Sequence, residues 1–451
     1  MILGKRRLAA LLAATAAAIL FASLSYGRTP DVPSKGNILF ICIDTLRADR
    51  LACYGYRGME TPNIDSLAGR GVLFRQTLCQ VPITLPSHSS IFTGLNPTVH
   101  DVKENGTFRL DPMEFTLAEI LKDHGYRTAA FIGGFPLDAK FGTDQGFDVY
   151  DDNMSTPSAL LAGKRRNVWQ GHKIEAFERR AVDVVNAARH WLALNNDKMF
   201  FLFLHLFDPH LPYSPPEPFL STYRKRPYDG EVAYADHCLG PLLQDVKRLG
   251  LTEKTLVILT SDHGESLGEH RYFGHGENLY EPSVHIPLIM ARPSVLPQDR
   301  AIETPARSID LLPTILELNG IKIPADVDGR SLGAFLFSEQ SPAQQVVSYS
   351  ETFFPMMRYK RAEIRSVKSG SWKYLRYTKG TKTVREELFD LVNDPREQHD
   401  LARQNRAKVR ELGMVLDDIL KSDHSRALQR RTPLQADDET KEKLRSLGYI
   451  K

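Results

Sequence analysis

Apolar residues run almost unbroken from Asn37 to Ile43, the pattern of a strand buried on both faces of a parallel sheet. Similar runs recur at 128–132, 200–207 and 256–260. Between them the apolar spacing becomes helical. Thr116-Leu117-Ala118-Glu119 forms a capping box that opens a short helix, and Gly125 ends it. Residues 175–194 and 232–249 carry apolar positions at helical spacing, the second run stopped at Gly250. Strands alternating with helices predict an α/β fold, a mostly parallel sheet sandwiched by helices. Four short strand patterns follow at 346–349, 362–367, 372–377 and 387–391, which predict a smaller C-terminal antiparallel sheet. The chain thus divides into an α/β domain over 35–325, an antiparallel subdomain over 326–404 and a polar, partly helical tail over 405–451.

Residues 1–27 stand outside this scheme. Lys5, Arg6 and Arg7 precede an Ala/Leu-rich run from Leu8 to Leu24, and Ser25-Tyr26-Gly27 offers small residues for cleavage. This pattern predicts a secretory signal, or an N-terminal anchor if it stays uncleaved. The expectation is an exported protein, periplasmic or extracellular, with membrane association only through this segment. Charge adds an exclusion: 58 basic against 55 acidic residues give +3, too balanced for a nucleic-acid partner. Four cysteines (Cys42, Cys53, Cys79, Cys238) allow three full pairings, and no C-x-x-C pair suggests a thiolate zinc site.

In α/β folds of this kind ligands sit beyond the carboxyl ends of the strands. Asp44, His210 and Asp262-His263 each fall at or just past such an end. Thr84 opens Thr84-Leu85-Pro86-Ser87-His88 and supplies a hydroxyl. A hydroxyl among strand-end carboxylates and an imidazole is what a metal-activated nucleophile needs. Ser87, Ser89 and Ser90 read as capping hydroxyls of the helix that follows. The 150–172 loop, with Lys164, Arg165, Arg166 and Trp169, reads as solvated.

Several runs, in order, resemble the sulfatase family of the alkaline-phosphatase-like superfamily. They are Asp44-Thr45-Leu46-Arg47-Ala48-Asp49, Thr61-Pro62-Asn63-Ile64-Asp65, Thr84 to His88 continuing to Thr93-Gly94, Asp208-Pro209-His210-Leu211-Pro212-Tyr213, Ser261 to His270, and Leu388-Phe389-Asp390-Leu391 with Asp394-Pro395. The Ser261–Glu269 string with His275-Gly276 also resembles phosphoethanolamine transferases, whose equivalent histidines contact the substrate phosphate or a second zinc. The resemblance implies a metal-dependent enzyme acting on sulfate or phosphate esters. Asp44, Thr84, Asp262 and His263 are the expected metal ligands. Two acids, an imidazole and an alkoxide suit zinc or manganese; calcium remains a candidate, although Thr45 stands where calcium-binding relatives keep a second acid.

Family sulfatases convert a Cys or Ser in a C/S-x-P-x-R motif to formylglycine. Here Thr84 cannot become that aldehyde, and His88 replaces the arginine. A Lys and a His that often follow the second strand in the family are absent from Gly133-Gly134-Phe135-Pro136. These departures favour direct attack by Thr84 on phosphorus. His88, Asn105, His210 and His275 are then the expected catalytic partners, with Lys103 as a further anion ligand. His205 carries less weight, and His270 and His285 less again. The predicted substrate is a small-molecule, lipid or glycan ester. Alternatives are a transferase moving a phospho-alcohol group onto lipid or glycan, and a catalytically silent binding protein.

Overall fold

The computed structural model describes residues 35–154, 168–169, 172–173, 178–338 and 346–427. The N-terminal segment, most of the 150–172 loop and the end of the tail lie outside these residues.

The main sheet contains β1 (Asn37–Ile43), β2 (Val72–Leu78), β3 (Arg127–Ile132), β4 (Val149–Asp151), β5 (Phe200–Leu206), β6 (Thr255–Thr260), β7 (His285–Ala291), β8 (Arg300–Ile302) and the short β9 (Ala306–Arg307). Their order is β8-β2-β7-β6-β1-β5-β3-β4, with β9 also on β2. All neighbours are parallel except β7, which runs antiparallel to both β2 and β6. The expected mostly parallel sheet is therefore present.

Alternation along the strands builds the layers. Ile38, Phe40 and Cys42 of β1 face one side, joined there by Phe201 and Phe203 of β5. On that side pack α2 (Thr84–Thr93), α3 (Leu117–Asp123) and α6 (Leu311–Leu318), through residues such as Leu85, Ile91, Leu117 and Ile315. Leu39, Ile41 and Ile43 face the other side, with Phe200, Leu202 and Leu204. They meet α1 (Pro62–Gly69), α4 (Ala181–Asn195) and α5 (Pro227–Arg248) through Ile64, Val184, Leu192, Val232 and Leu239. A strand covered on both faces has no need of polar positions, which is why β1 and β5 read as unbroken apolar runs.

The capping box at Thr116 forms as expected: Thr116 Oγ1 accepts from the Glu119 N–H at 3.2 Å, and Glu119 accepts from the Thr116 N–H at 2.8 Å. Two helix bounds differ from expectation. α4 begins only at Ala181, because Glu178 pairs with Gly134 and Arg180 stays extended (φ −64°, ψ 147°). α5 begins earlier than expected, at Pro227, a residue suited to the first turn.

The second sheet, β10 (Val347–Thr352), β11 (Glu363–Ser369), β12 (Trp372–Lys379) and β13 (Lys382–Asp390), is a four-stranded antiparallel meander. The short α7 (Phe354–Tyr359) follows β10. The expected polar tail opens with α8 (Arg406–Ala427), whose Val409, Leu412 and Leu416 pack on Tyr349, Val367, Tyr374 and Leu388 of this sheet. All four cysteines are free thiols. No described helix is long and apolar enough to cross a membrane.

Candidate active site

The parallel register aligns the ends of three central strands. Cys42 of β1 stands opposite His205 of β5 and Thr260 of β6. The residues that follow, Asp44 and Asp262, emerge side by side at the carboxyl edge. The Asp44 N–H donates to Leu206 O at 2.9 Å, extending the ladder by one bond. The chain then turns sharply at Thr45, whose φ of 55° is unusual for a β-branched residue. Its carbonyl accepts from the Tyr228 hydroxyl at 2.8 Å, and its N–H donates to Asp262 Oδ1 at 3.3 Å. Ser261 Oγ accepts from the Leu46 N–H and donates to His263 O, which ties the two strand-end turns together. Gly264 is required beside them: a Cβ there would lie 2.1 Å from Pro282 O.

Thr84 is the first residue of α2, and all ten residues of that helix are buried. Ser87 Oγ donates to Asp262 O at 2.7 Å, which moors the helix to the β6 turn. Asn105 Oδ1 accepts from the Leu85 N–H at 2.8 Å, satisfying one of the helix's open donors. Ser89 Oγ bonds back to Leu85 O, and Ser90 Oγ pairs with His100 Nε2. Ser87 and Ser90 thus fasten α2 to its surroundings, Ser89 bonds back within the helix, and none of the three caps it, correcting the sequence expectation.

Thr84 Oγ1 donates to Asp44 Oδ2 at 3.4 Å. Asp44 Oδ1, Asp262 Oδ2 and His263 Nε2 converge with no hydrogen-bond partner, all fully buried. His263 Nε2 is 3.3 Å from Asp262 Oδ2 and 3.8 Å from Asp44 Oδ1. His263 Nδ1 faces Gly264 O at 3.0 Å, which makes Nε2 the lone-pair nitrogen. Burial pushes the Asp44 carboxyl up to about 8, and burial together with Asp44 drives Asp262 well above the usual range. Two buried carboxylates facing each other need a countercharge. The orphaned oxygens and nitrogen fit a divalent cation, and these three residues form a candidate metal centre.

A second group borders this centre. The His275 ring lies 4.4 Å from that of His263 and 5.0 Å from that of His210. His275 Nδ1 is 3.4 Å from Glu265 Oε1. Burial opposes a charge on His275, but Glu265, Asp44 and Asp262 outweigh it and raise its pKa. His210 stacks on Phe207 and donates from Nδ1 to Leu211 O at 2.6 Å; burial holds it neutral. Asn105 Nδ2 is buried without a partner.

His88 lies one helical turn behind Thr84, fully buried, with Nδ1 at 2.8 Å from Thr84 O. Lys103 is turned away, bonded to Glu351 at 2.8 Å and Pro97 O at 2.6 Å. His270 stacks on Tyr280 and His285 bonds Arg75 O, so neither joins the group. Two residues that received little or no weight are central. His205 Nε2 lies 3.2 Å from Asp44 Oδ2, and Glu265 is fully buried with His275 Nδ1 as its charged neighbour. His205 follows the alternation of β5 and looks like a core position in the sequence; only the register with β1 brings it to Asp44. A cleft of about 940 Å³ lies at the seam of the two sheets, lined by Arg47, Glu269, Lys368 and Arg396 among others. None of Asp44, Thr84, Asp262 or His263 lines it, so its volume says nothing of the reaction.

Comparison with known proteins gives the family. Residues 36–321 match the Sulfatase family, and residues 268–423 match the family described as N-sulphoglucosamine sulphohydrolase, C-terminal. The chain is 26% identical to the ulvan-active sulfatase of Formosa agariphila over 410 residues, covering 82% of this chain and 78% of the relative. Among solved structures, one in complex with its substrate D-glucosamine-2-N,6-O-disulfate superposes with a TM-score of 0.72 at 20% identity, covering 87% of this chain and 99% of that one. The phosphonate monoester hydrolase of Agrobacterium radiobacter also gives 0.72, at 21% identity, covering 86% and 96%. With more than half of its residues inside the Sulfatase match, and its strand-end acids and histidines within that stretch, the chain belongs to the sulfatase family of ester hydrolases.

Proposed function

We propose that the protein is an exported, metal-dependent hydrolase that uses Thr84 as its nucleophile and favours phosphate or phosphonate esters over sulfate esters. One observation carries this reading. A threonine hydroxyl, at the head of a buried helix, bonds Asp44 Oδ2 beside three unpartnered donor atoms of Asp44, Asp262 and His263. Sulfatase-family enzymes use a divalent metal, and Asp44, Asp262 and His263 would hold it, with zinc or manganese suited to this donor set. When bound, the metal lowers the pKa of a nearby hydroxyl and offsets the charge of the ester.

Thr84 Oγ1 attacks phosphorus as the bond to the leaving oxygen breaks, and Asp44 Oδ2 is the nearest acceptor for the hydroxyl proton. Water then cleaves the phosphothreonine and restores the hydroxyl. Asn105 Nδ2, His210 and His275 are assigned to the ester oxygens, where donors fixed in advance stabilise growing charge. His88, behind Thr84, holds the carbonyl of the nucleophile. Phosphorus is favoured because a secondary alcohol cannot be oxidised to an aldehyde. The fold shared with a phosphonate monoester hydrolase is consistent with that preference.

The test is a side-by-side assay of the zinc- or manganese-loaded protein on an aryl sulfate, a phosphate monoester, a phosphodiester and a phosphonate monoester. Hydrolysis of a phosphorus ester is expected, with Thr84→Ala slower by at least about 10³-fold and Thr84→Ser retaining part of the rate. Full activity in Thr84→Ala overturns the nucleophile. Strong preference for the aryl sulfate overturns the substrate class.

A further inference from the structure

The short helix α7 turns a cation towards the candidate catalytic residues. Helical spacing sets its direction. Phe354 and Arg358 are four residues apart and share a face, whereas Met356, half a turn away, is exposed. The Phe354 face points inwards. A Cβ on Gly276 would lie 3.1 Å from Phe354 Cγ and 3.5 Å from Ile83 Cγ1. The Phe354 ring therefore fills the space between the residue before Thr84 and the residue after His275. The Arg358 guanidinium carbon lies 5.7 Å from the centroid of that ring. It is also near enough to Glu104, the neighbour of Asn105, to pull that carboxyl down against the effect of burial. Both contacts place Arg358 on the side of α7 that faces Thr84, Asn105 and His275.

The cations around it have carboxylate partners. Lys103 bonds Glu351 at 2.8 Å, Arg361 lies 3.8 Å from Glu277, and Arg365 pairs with Glu363. Arg358 acts on the Tyr359 hydroxyl, but its Nη1 is buried with no hydrogen-bond partner. Glu104 does not neutralise it, since burial keeps that carboxyl protonated up to about 8. Packing does not require a guanidinium here. A leucine would cover the Phe354 ring as well, whereas a buried donor left unpaired is costly, and more so when charged.

We propose that Arg358 is a specificity-determining residue that binds a second oxyanion, a carboxylate or a further sulfur or phosphorus acid group, on the organic part of the ester. The planar fork of a guanidinium, with Nη1 left open, suits such a group. The preferred substrates are then esters with two separate negative charges, one at the bond to be cleaved and one beside it. The inference rests on the Thr84 site as the place of ester cleavage, and not on which ester is cleaved.

The experiment compares phenyl esters carrying a meta-carboxylate, a meta-sulfonate or a neutral meta-carboxamide, each as its phosphate and its sulfate. It uses the full zinc- or manganese-loaded chain, with circular dichroism confirming the fold of each variant. Wild type is expected to favour at least one anionic ester over the carboxamide by at least about 10-fold in kcat/KM, chiefly through KM, and the better of the two identifies the group. Arg358→Met should abolish that preference, and Arg358→Lys should restore part of it. No anionic preference in wild type, or an undiminished one in Arg358→Met, overturns the subsite. Loss of all three esters by one common factor in Arg358→Met marks a merely structural role and overturns it too. Faster turnover of the sulfates than of the phosphates overturns the substrate class proposed above, while the ratio of anionic to neutral ester still judges Arg358. Without turnover, calorimetric binding of meta-carboxyphenylphosphonate against meta-carbamoylphenylphosphonate reads the same ratio.

Discussion

Glu104 is buried next to Asn105, and burial pushes its carboxyl up to about 8 even though it accepts the Asn105 N–H and feels Arg358. The folded chain therefore keeps a proton that the unfolded chain releases near 4.5. By linkage, its contribution is complete below about 4.5 and is lost as pH rises towards about 8. Glu104→Gln keeps the acceptor and cannot ionise. Thermal melts at pH 5 and pH 8 should show a smaller drop in Tm for the variant than for wild type, by at least about 3 °C; equal drops would count against a buried proton. At this scale the sequence was readable where chemistry follows strand ends, as for Asp44, Asp262 and His263. It was unreadable where orientation decides. Lys103 is close to Asn105 in the chain, yet Glu351 of the second sheet claims it. Glu265 sat inside a quoted motif, but only its burial beside His275 shows its importance.

At the scale of elements, four strands of the main sheet were plain in the sequence and five were not, of which β2 and β7 are the longest. β2 ends its apolar run at half-buried Arg75 and Gln76. β7 contains Pro287, a residue that argues against an interior strand. The structure accommodates it at a register shift between Ile286 and Leu288, and Thr260 Oγ1 bonds the Pro287 carbonyl. The turn after β6 depends on a similarly local requirement. Gly264 donates to Ser283 O at 2.9 Å, in contact too close for any side chain. Gly264→Ala should push the turn outward, move His263 Nε2 and weaken zinc binding by about 10–100-fold. Equilibrium dialysis against zinc measures this directly, and unaltered affinity would show that the turn tolerates the shift.

Over the whole molecule, the two sheets share a core. Leu78, Cys79, Val284 and Ile286 of the main sheet region pack with Ile364, Leu375, Tyr377 and Phe389 of the second. Lys373 of β12 is buried between Glu281, at 3.0 Å, and Glu397, at 2.8 Å, while Lys368 also reaches Glu281. Breaking a buried ion pair from one side leaves uncompensated charge. Lys373→Met should cost about 3–5 kcal/mol in urea unfolding, and a cost under about 1 kcal/mol would show that the network is solvated. The strands of the second sheet were legible from their alternation, whereas their attachment was not, because contacts at long sequence separation leave no periodic trace.

That attachment reaches the candidate catalytic residues. Phe354 of α7 packs on Val81 and Ile83, just before Thr84, and Thr352 Oγ1 bonds Gly276 O next to His275. During synthesis every candidate catalytic residue therefore precedes β10 and α7, which brace the segments around Thr84 and His275. A nascent chain halted before β10 holds the complete set of candidate groups without the contacts of Thr352 and Phe354. The order of translation thus delivers these braces only with the last quarter of the chain.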